Sequence, residues 1–140
     1  MKTTPLTETE RKRIQKAFGS VPFAHLIGIE LGEFERGAAT LHLTVRDPLR
    51  QNRGVVHGGV TASLIDTAAA FAILTLLEAD QSTTTVDLTI HYLRPILQGR
   101  ISARARVLRL GRRLIPVAVD VLDETGNLVA TALTSYLRLV

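Results

Sequence analysis

The sequence predicts an α+β fold: a six-stranded antiparallel sheet curled around one long central helix, with a further helix at the N-terminus. Three observations carry this. Residues 57–77 place apolar side chains at helical spacing on more than one face, so that helix belongs inside the protein. Four strand patterns follow it with no helix between them. The links between neighbouring strands are too short for crossovers, which forces antiparallel pairing.

Residues 7–18 read as the N-terminal helix, with Thr7 able to cap it, Glu10 three positions later and Gly19 placed to close it. Its apolar stripe of Ile14, Ala17 and Phe18 is modest and predicts packing on the surface. Residues 22–27 add a short helical turn. Residues 29–34 and 38–45 form a hairpin broken at Arg36-Gly37, and 49–56 are loop after Asp47-Pro48. In the long helix Val60, Leu64, Ala68, Phe71 and Ala72 line one face, and Ile65, Ala69, Ile73 and Leu76 fill another. Its many alanines let a sheet approach closely. Residues 83–93 alternate Val86, Leu88, Ile90 and Tyr92 against Thr85, Asp87, Thr89 and His91. Residues 101–110 alternate Ile101, Ala103, Ala105 and Val107 against Ser102, Arg104 and Arg106. Residues 114–122 and 128–139 complete the set, joined by the turn at 123–127.

The 140 residues predict a single domain, 1–140, whose first twenty residues are an N-terminal helical extension. With 46% hydrophobic and 21% charged residues the composition is that of a globular protein. Cysteine is absent, which excludes disulfides, thiolate metal sites and cysteine nucleophiles and suits the cytoplasm, the expected location. The N-terminal residues lack the apolar core of a signal peptide. The most apolar window, 60–77, holds Thr61, Ser63, Asp66, Thr67 and Thr75, which argues against a membrane span.

The net charge of +4 conceals an asymmetry: no acid lies between Leu88 and Val119, where seven arginines fall. Aromatic residues are only 4% and do not interleave with those arginines, so no nucleic-acid partner is expected. His25, His42, His57 and His91 show no paired ligand spacing, and no metal is expected.

The most informative stretch is 51–66. A polar loop punctuated by glycine runs into His57-Gly58-Gly59, and the apolar helix follows at once. Within it Asp66 is the only acid between positions 48 and 77. A carboxylate among apolar neighbours is costly to bury without a partner. The helix start just upstream offers unpaired N–H groups and a dipole that favour developing negative charge.

These residues and this architecture resemble the PaaI-like acyl-CoA thioesterases of the hotdog-fold superfamily. The family pattern is an Asn or Gln, a short loop, His-Gly-Gly, and an Asp or Glu nine residues after the His, an interval that His57 and Asp66 keep. Residues 85–95, ending Tyr92-Leu93-Arg94-Pro95, look like the family's third strand, and the Gly111-Arg112-Arg113 turn agrees as well. The resemblance spans nearly the whole chain, with the first twenty residues poorly covered.

It implies hydrolysis of an acyl-CoA thioester to a free acid and coenzyme A, with coenzyme A as part of the substrate and no separate cofactor. By the same resemblance, Gly58 N–H is the oxyanion donor and Gly59 permits close approach of the substrate. Asp66 is the general base, or a nucleophile forming an anhydride. Gln51, six positions before the His, orients water or the carboxylate, with Asn52 as the alternative. Thr85 hydrogen-bonds the water near the acid, and His57 positions the loop or assists the leaving thiolate. Arg94, Arg112 and Arg113 contact the nucleotide, while Arg104 and Arg106 form a solvent-facing row. The family's active sites form between two subunits, so a homodimer joined along the third strand, or a homotetramer, is implied. A hotdog hydratase or dehydratase and a non-catalytic acyl-CoA-binding protein are the competing readings.

Overall fold

The N-terminal helix begins where the sequence supplies its cap. In the computed structural model, which describes Met1 and residues 4–139, Thr7 Oγ1 accepts the Glu10 N–H at 3.1 Å and the Glu10 carboxylate accepts the Thr7 N–H at 3.4 Å. Helix α1 runs Glu8–Gly19 and closes on Ser20 rather than on glycine. Ile14 is fully buried and Phe18 nearly so, so α1 is docked into the core more firmly than its short stripe suggests. Phe18 meets Phe71 edge-to-face at 5.3 Å, which ties α1 to the central helix. Helix α2 (Pro22–Ile27) opens on proline and ends at Gly28, whose φ of 87° suits only glycine comfortably.

Strands β1 (Ile29–Glu35) and β2 (Ala38–Thr44) form the expected hairpin. Arg36 at its turn reaches back to α1, donating to both Glu10 carboxylate oxygens at 2.7 and 2.9 Å. That guanidinium, with help from the Thr7 cap, holds the Glu10 carboxyl at about 2, below its ordinary 4.5.

After a 3-10 turn at Asp47–Leu49, helix α3 (Gly58–Leu74) starts with His57 as its cap. Strands β3 (Ser82–Tyr92), β4 (Arg100–Val107), β5 (Leu114–Leu122) and β6 (Leu128–Leu139) follow. The sheet order is β1-β2-β4-β5-β6-β3, with every pair antiparallel. Inward-facing Leu41, Leu43, Ile101, Val117, Val119 and Val121 are buried around α3, whose Leu64, Ile65, Ala68, Ala69, Ala72 and Ile73 meet them. Alanine on the helix lets β2 and β4 come close, and the result is the hotdog arrangement: a curled sheet around a helix. No helix among the described residues is long and apolar enough to cross a membrane.

Two features depart from the pattern read in the sequence, and both concern the site. First, α3 is not enclosed all round. Ala62, Ser63, Asp66, Thr67, Ala70 and Leu74, at helical spacing, form a half-exposed stripe beside β3. Second, β3 does not alternate strictly. Thr85 pairs with Tyr136 of β6 while Asp87 pairs with Ser135, so Val86 is an extra residue, a β-bulge. Strict alternation puts Thr85 on the face opposite Leu88. The bulge instead gives Thr85 the inward place that Val86 otherwise takes.

Candidate active site

Asp66 sits at the middle of α3, on its open stripe, and is half-exposed rather than buried. Two hydroxyls converge on one of its oxygens: Thr85 donates to Oδ1 at 2.9 Å and Tyr136 donates to the same atom at 2.6 Å. Tyr136 lies 2.6 Å from the Asp66 backbone carbonyl as well. Oδ2 accepts no hydrogen bond from any described residue. The cost of a lone acid on an apolar helix is thus met on one side by two neutral donors, and the other side is open.

Both donors come from the β3–β6 ladder, where Thr85 and Tyr136 are direct cross-strand partners. Without the bulge at Val86 only one of them faces the acid. Tyr136 is 3% exposed, and burial first, then its hydrogen bond to Asp66, push its phenol far above the ordinary tyrosine range. The phenol is thereby kept protonated, and toward Asp66 it acts as a donor. Sequence reasoning missed it because an inward tyrosine in an alternating strand looks like core.

The start of α3 is built differently. His57 Nδ1 accepts the Gly59 N–H at 2.8 Å, so that nitrogen carries no proton and His57 serves as the helix cap. A Cβ at Gly59 stands 2.9 Å from this nitrogen, which makes glycine necessary for the cap. Tyr92 donates to the Gly58 carbonyl at 2.7 Å, with its ring against the Gly58 α-carbon. The Gly58 N–H meets no acceptor among the described residues, as expected of the first donor of a helix. Gly58, Val55, Val56, Thr61, Tyr92, Leu93, Arg94 and Ile96 line a cavity of about 300 Å³. A larger cavity, about 650 Å³, lies away from these groups among Phe34, Thr40, Arg104, Arg106 and Asp120.

Of the two amides in the loop, Gln51 is half-buried and Asn52 exposed. Gln51 Oε1 accepts the Arg53 N–H at 2.8 Å and so closes its own turn, and neither amide contacts Asp66 within the chain. Arg94 reaches the helix-start cavity, whereas Arg112 and Arg113 are exposed at the β4–β5 turn, separate from it in sequence and in lining. Arg104 and Arg106 alternate outward on β4 as the sequence suggests. Among the described residues no three His, Cys, Asp or Glu side chains cluster in a way that suits a metal ion.

Eight residues of helix separate Gly58 from Asp66, about 12 Å along the axis at 1.5 Å per residue. An oxyanion donor must lie about 3 Å from the oxygen it holds, and a base within hydrogen-bond reach of the attacking water. Gly58 and Asp66 therefore cannot serve one carbonyl within a single chain.

Residues 53–130 match the sequence profile of the thioesterase superfamily. A 1,4-dihydroxy-2-naphthoyl-CoA hydrolase from Listeria monocytogenes is 28% identical over 102 residues, which cover 73% of this chain and 83% of that protein. The medium/long-chain acyl-CoA thioesterase YigI of Salmonella typhimurium is 28% identical over 132 residues, covering 84% of this chain and 85% of that protein. Among solved structures, the PaaI protein of Escherichia coli superposes with a TM-score of 0.88 over 96% of both chains at 23% identity, a likeness of fold.

Proposed function

This chain belongs to the thioesterase superfamily and is a thioester hydrolase, and from that premise we propose that it hydrolyses an acyl-CoA at a site shared between two copies of itself. One observation carries the reading: the acid is armed at the middle of α3 and the unpaired N–H waits at its start, too far apart for one substrate. A second chain packed antiparallel along the open stripe brings the Gly58 of one copy opposite the Asp66 of the other. Strand β3 favours such a joint. It is the sheet's edge, eleven residues long, and Val86, Tyr92 and Leu93 on and beside it are about half exposed.

In the proposed reaction the open Asp66 oxygen takes a proton from water as the water oxygen attacks the thioester carbonyl carbon. The carbonyl oxygen becomes an oxyanion held by Gly58 N–H at the positive end of the helix. Collapse breaks the carbon–sulfur bond, and the coenzyme A thiolate recovers the proton from Asp66. The products are a carboxylic acid and the free thiol. Gln51 from the loop side orients the water, with Asn52 the alternative amide. Thr85 holds the carboxylate and His57 holds the loop. Gly59 leaves room for the substrate, and Arg94, Arg112 and Arg113 meet its phosphates, with arginine's planar fork suited to that task. A hydratase-type reading requires a histidine working with the acid. His57 Nδ1 is committed to Gly59 N–H, and no described histidine contacts Asp66.

The test pairs two inactive variants. Asp66→Ala and Gly58→Val are each expected to release almost no thiol from a panel of aromatic and aliphatic acyl-CoAs. Mixed and allowed to exchange subunits, they regain turnover, because one site of each mixed dimer carries an intact acid and an intact helix start. Absence of recovery, with mixed dimers demonstrated by differential tagging, rules out the shared site. A wild-type protein that binds acyl-CoA and turns over none of the panel returns the assignment to a binding protein.

A further inference from the structure

We propose that Tyr136 is a positioning residue for the acid: with Thr85 it pins Asp66 Oδ1 and so selects Oδ2 as the oxygen that takes the proton. This rests on the reading of Asp66 as the base and goes beyond it, because nothing in that reading assigns a task to β6.

The geometry supports the proposal at three points. The Tyr136 hydroxyl is 2.6 Å from Oδ1 and 2.6 Å from the Asp66 backbone oxygen. A phenol carries one hydrogen and both neighbours can only accept, so that hydrogen is shared between side chain and main chain of the same residue. Rotating Asp66 about its first side-chain bond breaks the contact. The carboxylate is therefore held in one orientation by a group that is itself immobilised in the core, where Tyr136 is 3% exposed. Thr85 then adds a second donor on the same oxygen from the neighbouring strand. Two donors occupy Oδ1, and the open oxygen is left as the one free to accept. The pattern is asymmetric in the direction that chemistry needs, since a base with both oxygens engaged has none to offer water.

A purely structural role for Tyr136, filling core and tying α3 to β6, predicts something different and can be separated. Tyr136→Phe removes one oxygen and keeps the ring, so packing is retained, and a thermal melt of the full chain checks it. With an acyl-CoA substrate, kcat is expected to fall roughly ten- to a hundredfold, the scale of one hydrogen bond to a charged group. KM stays within about twofold, because the substrate's own contacts are untouched. Tyr136→Met fills the same space more pliably and gives the same split should the Phe variant unfold. In Tyr136→Phe/Thr85→Val the loss exceeds the product of the single losses, since either donor alone still anchors Oδ1.

A wild-type kcat in folded Tyr136→Phe overturns the proposal. So does a loss carried by KM, or a double variant whose losses simply multiply. Asp66→Ala separates the two layers. If it keeps turnover, the reading of Asp66 falls and this inference with it. If it abolishes turnover while Tyr136→Phe is unimpaired, only the inference falls.

Discussion

The start and the middle of α3 belong to one helix and are furnished in opposite ways. At Asp66 the helix presents a carboxylate, and the β3–β6 ladder of the same chain delivers two hydroxyls to one of its oxygens. At Gly58 the helix presents a donor that meets no acceptor among the described residues, with His57 and Tyr92 fixing the peptides on either side of it. The first group has its partners in place, and the second has none. The difference teaches that a carboxylate needs its surroundings in advance, because stabilising charge requires oriented donors. A helix N-terminus carries its electrostatics in its own backbone and needs only clearance.

The comparison breaks most sharply at the acid. Asp66→Asn keeps an acceptor for Thr85 and Tyr136 and replaces the open oxygen by an amide. Its kcat is expected to drop on the order of a thousandfold, the mid-range for removing a general base, with a thermal melt near wild type. A kcat within a few fold of wild type moves the chemistry elsewhere.

Next in size is the dependence of turnover on a neighbouring copy, as the proposed shared site requires. Val86→Lys places a charge on the β3 edge, the device by which sheet edges are kept from pairing. Sedimentation is expected to show a smaller species, with turnover at assay dilution falling by more than about tenfold although Asp66 and its donors are intact. An unchanged assembly state locates the joint away from β3.

A smaller effect is expected at the helix start. Tyr92→Phe releases the Gly58 carbonyl and loosens the peptide that precedes Gly59. A fall in kcat of about three- to tenfold fits the loss of one ordinary hydrogen bond. An equal loss from Tyr92→Phe and Asp66→Asn is incompatible with one end being merely steadied.

Smallest is a control that lies away from both Asp66 and Gly58. Glu10, held at about 2 by Arg36 against an ordinary 4.5, has a depressed folded-state value. Its contribution is therefore present above 4.5 and is lost as pH falls toward 2. Glu10→Gln is expected to lower the melting temperature slightly at pH 7 and not at pH 2, with kcat unchanged. A single ion pair at the protein's margin is worth little even when it is partly buried, as this one is, so a large shift is evidence that α1 does more than cover the core.

Much of the fold was legible because hydrophobic period and turn chemistry agreed. The strands at 114–122 and 128–139, and the turn between them, lie where the alternation puts them. The Thr7–Glu10 box announced α1 for the same reason. The acid and the helix start were legible as an anomaly, one carboxylate in an apolar helix after two glycines. The bulge was not. Thr85-Val86-Asp87-Leu88 reads as clean alternation, and only pairing with β6 shows that Val86 is surplus. Family resemblance pointed to Thr85 where the period of the strand turned it away. Tyr136 escaped both, because its hydroxyl becomes informative only when the helix carboxylate is seen above it.

The surplus residue has a consequence for how such chains are compared. Val86 lies in the chain between Thr85 and Tyr136, the two donors that meet on Asp66, and it is absorbed by a kink that leaves the pairing on either side in step. A chain without it brings the same two hydroxyls to the same oxygen with one residue fewer between them. Counting residues between threonine and tyrosine is therefore an unsafe way to find this pair in a distant sequence, since the contact depends on a distance in space and the interval along the chain is free to slip by one.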